Sequence, residues 1–158
     1  MLTTPHTLVG VVIAFLAPNP FLVFPLTLIS HFILDFLIPH WNPHLYTEFH
    51  TQGKVSKNSF LMALIDGLTA AFIVLWLVLK NLGNYPRVFL IFVGVFGATL
   101  PDLVEIPYYF FGCKNKLLKK YVDFEHKYQS NGVFWLGVLT QVIVIIVSLK
   151  FLIFSARG

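Results

Sequence analysis

The stretch Ser30-His31-Phe32-Ile33-Leu34-Asp35-Phe36-Leu37-Ile38-Pro39-His40 decides how this chain folds. It closes an apolar run that begins near Pro20 and carries a histidine and a carboxylate four residues apart. In a helix that spacing stacks His31 and Asp35 on one face. Their neighbours are Phe, Ile and Leu, so the pair lies in or beside hydrocarbon. Ionisable groups are costly there, and their default reading is a functional site.

Composition extends that local reading to the whole chain. Of 158 residues, 57% are hydrophobic and only 11% charged. Soluble domains carry about 25% charged residues. With a mean hydropathy of +0.79 and several long apolar runs, the chain is expected to be an all-α, polytopic integral membrane helical bundle. Residues 1–158 are expected to form a single transmembrane domain. The net charge of +4 comes without any basic, aromatic-interleaved patch, so membrane lipids rather than nucleic acid are the expected partners. Cys113 is the only cysteine, which excludes an intrachain disulfide and a multi-cysteine zinc motif. Met1 to Gly10 has no basic n-region and is read as mature sequence.

About five helical segments are expected. The first covers the run to Leu16, with Thr4 as N-cap and Pro5 at the first helical position. It stops at Ala17-Pro18-Asn19-Pro20. About 13 residues rise only about 20 Å, so this segment is a short span or a re-entrant half-helix. The second runs from Pro20 to Ile38, the third from Asn58 to Leu79, the fourth from Arg87 to Phe111 and the last from Val133 to Phe154. Between them, residues 40–58 read as a polar, His-rich loop and residues 112–132 as a basic one. His40, His44 and His50 are expected to be solvated there, and Cys113 to be an interfacial thiol.

If every helix crosses, both of these loops lie on one side. That side holds Lys54, Lys57, Lys114, Lys116, Lys119, Lys120 and Lys127. The other holds Lys80, Arg87, Lys150 and Arg157. The excess places the first side in the cytoplasm, as in a bacterial-type inner (plasma) membrane. His6, His31, Asp35, Asp66, Asp102, Glu105 and His126 all fall toward that side. Scattered structural polar residues would not be expected to choose one leaflet.

Imidazole and carboxylate donors together suit a divalent metal: zinc first, then manganese or iron. His6, His31, Asp35, Asp102 and His126 are the candidate ligands. Asp66 is a further donor, and Glu105 or Glu125 is a candidate general base or partner to a histidine. Five or six ligands exceed one tetrahedral site, so a two-metal centre suited to phosphoester hydrolysis is also open. Two other readings compete. Intramembrane His and Asp can relay protons or carry a metal ion, and the same residues can simply fasten helices together in a non-catalytic interaction protein.

Three motifs carry a family resemblance. Pro5-His6-Thr7-Leu8-Val9-Gly10, Ser30-His31-Phe32-Ile33-Leu34-Asp35 and Leu100-Pro101-Asp102 resemble segments of the YdjM-like membrane-bound metal-dependent hydrolases. Those are themselves similar to zinc-dependent phospholipase C. The L-P-D motif follows S-H-x-x-x-D here, whereas it precedes it in that family. The chain also looks like a group of small bacterial membrane proteins. The resemblance implies a metal-dependent hydrolase acting on a phospholipid or related ester. Its site residues would be His6, His31, Asp35, Asp102 and His126; apart from the resemblance, Asp66 and Glu105 are the catalytic candidates.

Overall fold

The shortest apolar helix is the one the others surround. In the computed structural model, which describes residues 1–17, 19–113 and 115–155, α1 (Thr3–Leu16) packs against α2 (Pro20–Leu37), α4 (Lys57–Lys80), α5 (Tyr85–Phe110) and α7 (Phe134–Ser155). Pro18, Lys114 and Arg157, used in the sequence reading, lie outside the described residues. Two further helices, α3 (Leu45–Gln52) and α6 (Lys116–Tyr128), complete the order. The described residues are all-α apart from one isolated bridge between His40 and Asn131.

Enclosure explains why α1 can be short. Leu8 and Val11 are fully buried against Leu77 of α4, Ile91 of α5 and Leu152 of α7. Its approach to α5 is set by small residues. A Cβ added at Gly10 would meet the Gly94 carbonyl oxygen at 2.6 Å and the Ala98 Cβ at 2.8 Å. Bare backbones allow helices to pack this closely. The same device joins α2 to α5, where Gly97 lies against Thr27 and Phe24.

Thr4 is not the N-cap of α1. The helix begins at Thr3 after Leu2, which offers no side-chain cap. The cap comes from another helix: the Asp66 carboxylate on α4 accepts the Thr3 N–H at 2.5 Å and the Thr4 N–H at 3.2 Å. Those two donors have no acceptor inside their own helix. Pro5 still falls in the first turn, where its missing N–H costs nothing.

The expected loops 40–58 and 112–132 each contain a helix. The inward stripe of α6 is Leu118, Tyr121 and Val122, followed by Glu125. Because that stripe ends in a carboxylate, and because lysines fill the rest, the segment reads as polar. Asn115 caps it, accepting from the Leu117 and Leu118 amides. Glu48 of α3 accepts from the Ser56 amide and from the Ser56 and Ser59 hydroxyls, tying α3 to the start of α4.

One connection matters for the site. The chain after α2 is clamped by the segment between α6 and α7. His40 N–H donates to the Ser130 carbonyl at 3.0 Å, Gly132 N–H to the His40 carbonyl at 2.9 Å and Ser130 N–H to the Asp35 carbonyl at 2.7 Å. Thr140 and Gln141 of α7 donate to the carbonyls of Pro39 and Trp41. This clamp fixes His40 beside Asp35.

Helices α2, α4, α5 and α7 are each long and apolar enough to cross a membrane, and α1 is apolar but shorter. Their outward faces are correspondingly greasy, with Leu22, Leu68, Phe72, Phe89, Leu139 and Val147 all exposed.

Candidate metal centre

Asp35 is the point of convergence. Its carboxylate is 1% exposed. Oδ1 faces the α-ammonium of Met1 at 2.6 Å, His6 Nε2 at 3.0 Å and His40 Nε2 at 3.8 Å. Oδ2 faces His31 Nε2 at 3.8 Å and accepts from Gln129 Nε2 at 3.5 Å. Gly10 and its small partners bring α1 close enough for His6 to reach α2. The His6 and His31 rings stack at 4.1 Å.

His31 is held in one orientation. Its Nδ1 lies 2.8 Å from the Ala98 carbonyl oxygen, which can only accept. Nδ1 therefore carries a proton, and Nε2 is turned to the interior. Nε2 faces Glu125 Oε1 at 3.1 Å. A lone pair and a carboxylate oxygen repel unless a proton or a metal lies between them. His40 repeats the arrangement: Nδ1–H donates to the Ile38 carbonyl at 2.9 Å and Nε2 points at Asp35. Burial, then the Met1 ammonium, push His40 down to about 4, so its ring is neutral near pH 7. Histidines that bind metal are held in this way, one nitrogen donating to a carbonyl and the other free.

Buried atoms without partners mark the same place. Among the described residues, His6 Nδ1, His40 Nε2, Asp102 Oδ2 and Glu125 Oε2 have no hydrogen-bond partner. Buried polar groups are normally satisfied. Two sets have ligand atoms all within 4.8 Å of one another: His6, His31 and Asp102, and His31, Asp35 and Glu125. Both sets include His31, so they share a residue. Two imidazoles with two or three carboxylates suit zinc, manganese or iron.

Of the sequence candidates, His6, His31, Asp35 and Asp102 are brought together. Asp66 is nearby but occupied with the first turn of α1. Glu105 lies against Glu125. His126 stands apart from both sets: its ring stacks on Tyr46 at 3.7 Å, and Tyr46 stacks on His50 at 3.9 Å. Burial, then the neighbouring His50, push His126 below the usual histidine value. The expectation of a solvated His40 is overturned, since it is fully buried; His44 and His50 are exposed, and so is Cys113.

Glu125 is the acid that sequence reasoning placed only as a base or a histidine's partner. It is 4% exposed, and the signal for it was the Leu118–Tyr121–Val122–Glu125 stripe. His40 carried no local signal, because its burial depends on the clamp from residues 130–141.

A cavity of about 610 Å³ adjoins the cluster. It is lined by Asp35, His40, Asp66, Asp102, Glu105, Glu125 and His126, and otherwise by residues of the N-terminus, the stretch 41–47, α4, α5 and the segment before α7. Comparison with protein-family models, curated proteins and solved structures finds no match for this chain.

Proposed function

We propose that the protein is a polytopic integral membrane hydrolase of the bacterial inner-membrane type. Its His6/His31/Asp35/Asp102/Glu125 centre holds one divalent metal, zinc before manganese or iron. It cleaves a phosphoester of a phospholipid or related lipid at the cytoplasmic leaflet. One observation supports the reading: His31 is oriented by the Ala98 carbonyl with Nε2 aimed at buried carboxylates, beside further buried donors without partners.

A metal bound there would polarise a phosphoester oxygen and lower the pKa of water. The chain's own residues do the rest. Ala98 and Ile38 carbonyls orient His31 and His40. Asp35, held by His6 and Gln129, supplies negative charge. Glu105, at the cavity wall and outside both ligand sets, is our candidate to take a proton from water and pass it to the leaving oxygen. The apolar walls keep bulk water from the reacting group.

The test is elemental analysis of purified protein together with phosphate or diglyceride release from mixed lipid. About one metal per chain, with activity and melting temperature both lowered by chelation, is expected. Absence of metal with melting unchanged by chelator would sink the proposal. The carrier reading is weaker, because in the described helices no Asp or Glu lies in the half away from the cluster. A polar path has no continuation there.

A further inference from the structure

Helix α4 turns one stripe of side chains toward α5, with the Phe60 ring edge-on to Phe110 at 5.5 Å between centroids. Phe60, Ala63, Leu64, Gly67 and Leu68 fall at positions i, i+3, i+4, i+7 and i+8, one face of a helix. All five line the cavity. Across from them on α5 stand Leu103, Ile106 and Phe110. Leu64, Leu68 and Leu103 are 43%, 60% and 44% exposed, so the slot between the helices is open at its side. Gly67 leaves it widest, since a Cβ there would meet nothing within 4 Å.

The cavity beside the slot is acidic. Asp102, Glu105 and Glu125 line it, the Met1 ammonium there is held by Asp35, and no Lys or Arg lines it among the described residues. Glu105 and Glu125 line the same cavity, and neighbouring carboxylates repel unless a proton or a cation sits between them. Glu125 Oε2 is buried and without a hydrogen-bond partner. Within the proposed bilayer, a slot with an open apolar side and an acidic end fits an amphiphile entering from the lipid phase. A headgroup ammonium would meet the Glu105 and Glu125 carboxylates there.

We propose that the α4/α5 slot takes one acyl chain of a membrane lipid whose headgroup carries an ammonium, the head lying against Glu105 and Glu125. This names the substrate class of the centre and rests on the reading of that centre as lipid-processing, but it is testable through binding alone.

The experiment is photocrosslinking of the full chain in nanodiscs, with phosphatidylethanolamine or phosphatidylglycerol carrying a diazirine in one acyl chain. Adducts from the ethanolamine lipid are expected on Leu64, Leu68, Leu103 and Ile106, well above those on the equally lipid-facing Leu139 and Ile146 of α7. The ethanolamine lipid should label the slot about tenfold more than the glycerol lipid, the worth of one charge-assisted hydrogen bond. Glu105→Gln should bring the two lipids toward parity. Gly67→Trp should empty the slot while Gly67→Ala should not. Wild-type labelling spread evenly over α4, α5 and α7 would overturn the proposal whatever the variants do. Labelling of the slot by the glycerol lipid at or above that by the ethanolamine lipid would overturn the headgroup assignment. Metal content and lipid turnover are read separately, so slot labelling without turnover refutes the hydrolase reading and leaves this one standing.

Discussion

His31 and His126 are both histidines beside carboxylates in the sequence, and only their surroundings separate them. His31 has its Nδ1 proton placed by Ala98 and its Nε2 turned inward toward Glu125. His126 spends its ring face on Tyr46. His31→Ala and Glu125→Ala should therefore drop bound metal from about one per chain to near zero, and His126→Ala should leave it in place. Mass spectrometry of the metal in the three purified variants checks this. Loss in His126→Ala alone would reverse the assignment. Asp66 separates in a similar way. Asp66→Ala removes the acceptor for two amides of α1 and should lower stability by about 1 kcal/mol. Asp66→Asn keeps one acceptor and should recover most of it, with activity intact. Activity lost in the Asn variant at unchanged melting would make Asp66 catalytic rather than a cap. Polar residues like these were visible in sequence because they interrupt apolar runs. Their partners were not, since Asp66–Thr3 and His31–Glu125 span distances in sequence that no periodicity reports.

At the scale of elements, the long helices were readable within two residues of their ends. Pro20, Ser56 and Asn84 supply ordinary start signals, and the runs behind them are long. The short helices α3 and α6 were not, because few apolar positions survive in a helix that offers only one narrow stripe inward. Nor could the centrality of α1 be seen. A 14-residue apolar helix looks like a defective span until Gly10, Gly94 and Ala98 are found face to face. That contact makes a sharp demand. Gly10→Leu should cost about 1–3 kcal/mol through overpacking, and because α1 carries His6, metal affinity should fall with it. Val9→Leu, one residue away at a half-buried position of the same helix, should change neither. Thermal melts in detergent with and without added zinc compare them. Equal behaviour of the two variants would show that the α1–α5 approach is looser than the structure has it.

At the scale of the molecule, the polar residues of five separate elements share one end of the bundle. Sequence order and helix alternation were enough to foresee that, because direction reverses at each connection and the acids fall consistently toward the same end. Which face of the proposed membrane this end meets depends on the lysine excess, and the chain holds its own reporter. Cys113 is its only cysteine, is exposed, and lies in the connection from α5 to α6 at the cluster's end. A membrane-impermeant maleimide should leave it unlabelled in intact spheroplasts and label it in inverted vesicles. Cys113→Ser should abolish the signal, and detergent should expose Cys113 equally in both preparations. Labelling in intact spheroplasts would turn the centre outward. The metal chemistry would survive that result, but the lipid would then be drawn from the opposite leaflet.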